Sequence, residues 1–450
     1  MSMRNVLLLI LLISQLDARS QSLLLKDVNV VPMSSETVLS HQDVRIEGDR
    51  IVDIASAGSD LEADIVIHAS GQYLIPGLAE MHAHIPVAED GNDTLVRETL
   101  FLYLANGITT IRGMLGNPYH LDLKKQVNAF EFPAPRVYTS SPSLNGNTIT
   151  TKEEARQKVT QYKDDGYDFL KIHPGIKREV FDEMARTAKS VDIDFSGHVP
   201  ADVGIDHAIA SGYATIDHLD GYIEGLAPEA VREEGGFFGV LLADRANEER
   251  IKILVEATQM KNTAVVPTQT LMTRWLSPRA PELMVQEPEM DFISPALRYS
   301  WRQNKEQMLE RLNYSQEVYD QFIELRHKFL RMFLEKGVPI LLGSDAPQVF
   351  NVPGFSLHHE MQSMVEAGLS NYEVLKSGTV NVSRFFNATD RGTVEEGKIA
   401  DLVLIADNPF TDINNVKKIN AVIYRGKIIR RDFIESQLSI IAEKYNSDSK

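Results

Sequence analysis

The chain of 450 residues contains no cysteine. That absence excludes a disulfide framework and a lipid-bearing cysteine, so stability has to come from the core and from any metal the fold holds. Positive charge is also scarce: 46 Lys and Arg stand against 63 Asp and Glu, a net charge of -17. Nucleic-acid backbones reward clustered cations, so this balance argues against such a partner and for a small-molecule substrate. There is no low-complexity tract, and no repeat with a period of about 20 to 50 residues. Long apolar runs are missing with one exception, "VLLLILLISQL" from Val6 to Leu16, which follows Arg4 and precedes "DARSQS". A basic start, a short apolar run and small residues near a cut form a secretory signal, and the run is too short to span a bilayer comfortably. Residues 1–20 are therefore expected to be a signal peptide, with cleavage between Ala18 and Leu23 and a secreted or periplasmic mature chain that is not inserted in a membrane. A buried first strand or an uncleaved anchor is the competing reading.

What is present falls into two textures. From Leu23 to about Ile75 the sequence alternates and turns like short antiparallel strands, as in "DVRIEGDRIVDIAS", and the texture returns in "GKIADLVLIADNP" and "INAVIYRGKIIRRD". Between these ends, short apolar segments alternate with amphipathic stretches such as "KEEARQKVTQYKDDG". The apolar segments are "GLAEMH", "GITTIRGM", "RVYTSS", "FLKIH", "DFSGHV", "TIDHL", "AVVPTQT" and "PILLGSD". Such alternation within roughly 300 residues fits an α/β fold, a (β/α)8 TIM barrel, better than an open sheet. The expected organisation is a small β-sandwich built from 21–75 and 391–432, a barrel over 76–390, and a C-terminal tail over 433–450.

Barrels place their chemistry at the C-terminal ends of the strands. "GLAEMHAHIP" puts His82 and His84 two apart on an extended backbone, hence on one face and able to converge on one ion. The fourth segment carries Lys171, the fifth ends with His198, the sixth with His218 and the eighth with Asp345. Each alone reads equally as a hydrogen-bonded histidine at a strand end or an aspartate capping a turn. Together they form a metal-compatible set at five of eight strand ends.

These residues, with "DFLKIHPG", "SGHVP", "LLGSDAP", "LHHEMQSMVEAGLSNYEVL" and the closing "GTVEEGKIADLVLIADNPF", resemble the metal-dependent amidohydrolase superfamily, most closely its imidazolonepropionase-like and prolidase-like branch. The resemblance implies that His82, His84 and Asp345 bind one divalent ion and His198 and His218 a second, zinc by expectation, with Lys171 bridging them as a carbamate formed with CO2. A free ammonium has no acceptor, whereas a carbamate offers two anionic oxygens. The implied reaction is hydrolysis of a C–N bond in an amide, cyclic amide or small peptide by metal-activated hydroxide, with Asp345 as the proton-transferring catalytic residue. The same site acting on an ester, lactone or phosphotriester is the alternative, and a non-catalytic binding protein a third. His173 and Tyr222 are the expected substrate contacts; His358 and His359 are read as packing or capping, and His41, His68, His120, His207 and His327 have no evident convergent partners. The stretch from about Thr270 to Tyr319, with Trp275, Tyr299, Trp301 and Tyr314, is either a lid over the mouth or a helical decoration on the wall. One departure stands out: dipeptide-cleaving members of the branch carry a glycine- and histidine-rich loop after the third strand, where this chain has "SSPSLNGNTITTKEE". The lack of histidine there argues against Xaa-Pro or C-terminal dipeptide cleavage. A homo-oligomer is left open.

Overall fold

The computed structural model of the chain describes residues 21–447. The expected signal segment lies outside them. Strands β1 (Ser22–Val30), β2 (Leu39–Glu47), β3 (Arg50–Ser56), β4 (Ile65–His68) and β5 (Tyr73–Pro76) come from the N-terminal stretch. Strand β1 pairs antiparallel with β2 on one edge, and in parallel with β4 and then β5 on the other. Register shifts between Leu25 and Val28 and between Val28 and Val30 bend it between these partners.

The barrel follows with β6 (Leu78–Ala83), β7 (Ile108–Gly113), β8 (Arg136–Leu144), β9 (Phe169–Ile172), β10 (Phe195–Gly197), β11 (Thr215–Asp217) and β12 (Ala264–Val266), parallel and paired in chain order. All six residues of β6 and of β7 are buried, as both faces of a parallel strand must be when helices cover one and the barrel interior the other. The eighth segment is too irregular to run as a strand, yet it closes the ring. Val265 bridges Ile340 and Ala83 bridges Ala346, while Met81 donates its N–H to Leu342 and Asp345 donates its own to His82.

The intervening helices start where side chains can satisfy free N–H groups. Before Lys152–Asp165, Thr151 and Glu154 cap each other's backbone, and Gly166 at φ 90° ends the helix. Helix Arg178–Ser190 turns Val180, Phe181, Met184 and Ala188 onto the barrel. The chain then returns to the terminal sheet with β13 (Leu402–Ile405), β14 (Ile419–Tyr424) and β15 (Lys427–Arg430); β13 pairs with β5, so both termini build one sheet. Leu25, Val44, Ile46, Leu74, Leu402 and Ile423 form its own buried core. The stretch expected as a C-terminal tail is instead helical over Arg431–Ser447, with Phe433 edge-on to Phe101 at 6.1 Å. Among the described residues no helix is long and apolar enough to cross a membrane.

Candidate metal centre

The ends of four β-strands, β6, β9, β10 and β11, and the closing segment bring these side chains together. His82 Nε2 lies 3.4 Å from Lys171 Nζ and 3.7 Å from Asp345 Oδ1; His84 Nε2 lies 2.7 Å from Asp345 Oδ1. The rings of His82 and His218 are 4.4 Å apart and those of His198 and His218 4.6 Å. His218 Nδ1 is 3.7 Å from Asp345 Oδ2. His82, His84 and Asp345 alone supply three ligand atoms within 4.8 Å of one another, a group that could hold a metal ion. Gly197, at φ 123°, permits this approach: a Cβ there would stand 2.5 Å from the Ile172 carbonyl oxygen and 3.1 Å from Lys171 Cδ. His218 (φ 64°) and Asp345 (φ 62°) both occupy the left-handed region that non-glycine residues rarely adopt, a strain concentrated at the point of convergence.

Around this set stand residues that the sequence pattern did not single out. Asp217 Oδ2 lies 3.1 Å from His82 Nδ1, and Asp217 is itself held by Arg112 Nη2 at 3.1 Å and by the Thr215 hydroxyl at 2.7 Å. Arg112 also donates from Nε to the Met81 carbonyl at 2.7 Å. His198 Nδ1 donates to Asp220 at 2.9 Å, and His218 Nδ1 lies 2.9 Å from the Thr268 hydroxyl. With Nδ1 bonded to Asp220, His198 keeps Nε2 for another partner, the arrangement by which carboxylates orient metal-binding histidines, while His82 Nδ1 lies close to Asp217 without forming a hydrogen bond. Glu80, fully enclosed, accepts N–H bonds from His82 at 2.9 Å and Ser344 at 2.8 Å and the Ser344 hydroxyl as well, fixing β6 against the closing segment. A lone charge inside an apolar strand, as in "GLAEMH", "GITTIRGM" and "TIDHL", was the signal that could have found Glu80, Arg112 and Asp217.

The electrostatics favour uncharged nitrogen. Burial, reinforced by the Lys171 charge, drives His82 far below the ordinary histidine range and brings His198 to about 3; burial with neighbouring histidines lowers His218 likewise. Neutral imidazoles are the form that ligates metal. Burial also lowers Lys171 to about 8, and no carboxylate lies within ion-pair distance of it among the described contacts. A buried ammonium beside imidazoles, with Asp217 and Asp345 near but no carboxylate in direct contact, is unfavourable, whereas its carbamate would bring negative charge to a donor set ready for cations. His82, His84 and Asp345 fit a divalent ion, with Lys171, His198 and His218 beside them.

The remaining candidates separate. His173 sits at the mouth, half-buried, its ring stacked at 5.1 Å on His198 and its Nδ1 2.7 Å from the Ser143 hydroxyl. Asn145 also donates to that hydroxyl at 2.8 Å, so the end of β8 and the histidine-free loop after it contribute a serine–asparagine pair. Tyr222 is a correction. Its hydroxyl bonds Thr258 at 2.8 Å and its ring packs edge-on against Phe329 and Phe333 at 5.1 and 5.4 Å, in the helix layer behind the barrel. Positive φ at His218, Leu219 and Gly221 turns the chain away, so Tyr222 opens helix Tyr222–Leu226 facing outward. The outer part of the Thr270–Tyr319 insertion is a decoration: Met284, Met290 and Trp301 share a small core with Val349, Phe350 and Val352. A second group of ligand-type atoms, Glu287, Glu289 and His359, lies under it, but Arg274 contacts both carboxylates and Arg279 the first, so guanidinium already occupies the role of a cation.

The chain is 21% identical to an adenine deaminase from Clostridium perfringens over 94% of its own length, spanning 63% of that relative. Two other curated relatives are matched over only 15% and 24% of their lengths. Among solved structures, a bottromycin amidohydrolase superposes with a TM-score of 0.72 at 18% identity, covering 95% of this chain and 91% of the other. A Xaa-Pro dipeptidase with bound methionine gives 0.64 at 20%, covering 91% and 100%. At such identities the likeness shows the fold alone. The Amidohydrolase family profile matches residues 73–429, more than half of the sequence, and the chain belongs to the amidohydrolase family.

Proposed function

We propose that this protein is an exported, binuclear metal-dependent hydrolase that cleaves a C–N bond in an amide, a cyclic amide or a small peptide. The observation that supports the reading most is the meeting of Lys171, His198 and His218 with His82, His84 and Asp345 at one barrel mouth, with the lysine enclosed and lacking a carboxylate partner. In this reading Lys171 as a carbamate, His82, His84 and Asp345 hold one ion, and the carbamate, His198 and His218 the other. When bound, zinc or a similar ion supplies a nucleophile from water at neutral pH and polarises the scissile carbonyl. Asp345 accepts the proton of the attacking water and delivers it to the leaving nitrogen. Asp217 and Asp220 keep His82 and His198 in orientation, and His173, steadied by Ser143, faces the bound substrate. The similar proteins, an adenine deaminase and a Xaa-Pro dipeptidase among them, agree in the class of bond but not in the substrate.

The test is a panel of N-acyl amides, cyclic amides and dipeptides set against matched esters, lactones and a phosphotriester. Turnover of at least one amide class, with kcat/KM above that of its ester once intrinsic reactivity is divided out, is the expected result. Turnover confined to esters or the phosphotriester contradicts the assignment of the bond. Export has its own check: protein recovered outside the native cell should begin between Ala18 and Leu23, and intact Met1 in the cytoplasm contradicts it.

A further inference from the structure

One flank of the mouth is walled by rings from two separate loops. Phe238, 8% exposed, places its ring 5.3 Å from that of His218 and 6.0 Å from that of His198, nearly parallel to the latter at 20°. Phe237 meets Phe238 edge-on at 4.4 Å and Trp275 at 4.8 Å, so three aromatic side chains run outward from the two histidines. The backbone is committed to this placement. Phe238 sits at φ 53°, ψ 31°, a conformation that disfavours a bulky residue, and Gly236 beside it at φ 67°, ψ -141° occupies a region essentially closed to other residues. Trp275 is anchored from behind, because Lys305 Nζ donates to the carbonyls of Arg274 and Ser277, each at 2.7 Å, and the Tyr314 hydroxyl donates to that of Leu276. A strained, well-supported loop that ends in a ring against the site is preorganised for contact with a ligand.

We infer that Phe238, backed by Phe237 and Trp275, is the specificity-determining wall of the substrate pocket, and that the substrate presents a flat apolar group, an aromatic ring or its equivalent, next to the scissile bond. This rests on the hydrolase reading above and narrows it to one substrate class. Rings prefer offset or edge-on partners at about 4.5 to 7 Å, and the Phe238 ring stands at that range from both His198 and His218, where a substrate held at the mouth would meet it.

Calorimetric titration of the metal-loaded full-length protein with methylphosphonate and with benzylphosphonate tests it, since the two probes share an anionic head and differ by one ring. Benzylphosphonate should bind at least about tenfold more tightly, the scale of filling an apolar pocket. In Phe238→Ala that ratio should fall to within about threefold, and Phe238→Leu, which keeps apolar bulk without a flat face, should retain only part of it. Should the alanine variant fail to fold, the leucine variant decides. Equal binding of both probes to the unaltered protein, or a full ratio surviving in a folded variant, overturns the aromatic wall and leaves the hydrolase reading standing. Failure of benzylphosphonate to bind the metal-loaded protein likewise overturns the aromatic wall, while the hydrolase reading stands or falls separately on the amide and ester panel.

Discussion

Replacing Lys171 with alanine should empty the site of metal and abolish turnover together, by roughly 10³-fold or more, the scale of the several kcal/mol that a bound metal contributes to a transition state. Lys171 has no alternative task that would predict this result. It is fully enclosed, its Nζ has His82 Nε2 at 3.4 Å as its described contact, and burial leaves it at about 8, so a usable fraction of neutral amine exists near pH 7 to take up CO2. A short carboxylic acid such as propionate, added to the medium, should restore part of both metal and activity by supplying two oxygens in place of the proposed carbamate. Rescue of that kind separates a missing ligand from a collapsed fold. Full metal content and full activity in Lys171→Ala would make the lysine a bystander.

Asp345→Asn should keep much of the metal and lose roughly 10²-fold or more in turnover, the scale expected for a general acid and base. The amide oxygen of asparagine still coordinates weakly, and His82, His84 and the lysine bridge remain, but the amide cannot carry a proton from water to the leaving group. Asp345 is placed for both tasks, with Oδ1 2.7 Å from His84 and Oδ2 3.7 Å from His218. The loss should be steeper on substrates with poor amine leaving groups than on activated esters, which need little protonation to depart. Kinetics on both types, with metal measured on the same preparations, decide the matter: equal losses at full occupancy would show that Asp345 does not protonate the leaving group.

The barrel was legible because most of its β-strands, β6 and β7 above all, are buried on both faces and are written as short apolar runs, although β8 is partly exposed and polar. The candidate ligands could be gathered from the sequence because barrel geometry sends every strand end to one mouth, and the fold places His82, His84, Lys171, His198, His218 and Asp345 close together there. Their supports were not. Asp217 reaches His82 from β11 and Arg112 reaches Asp217 from β7, pairings between strands far apart in the chain that no local spacing encodes. Tyr222 misled because it follows His218 by four residues, and nothing in "HLDGY" reveals left-handed residues that reverse the chain. Phe238 escaped notice for a related reason, lying in irregular turns where neither a two-residue nor a 3.6-residue period applies. The closing segment was readable as a strand by composition, although in the fold it contributes bridges at its ends and a left-handed aspartate between them.

The most direct measurement is the number of divalent ions per chain in protein purified without chelators and equilibrated with CO2, determined by elemental analysis against quantitative amino-acid analysis. About two ions per chain are expected, since in the proposed reading the candidate ligands divide into two groups joined by Lys171 as a carbamate. One ion per chain, or none, would contradict a binuclear hydrolase.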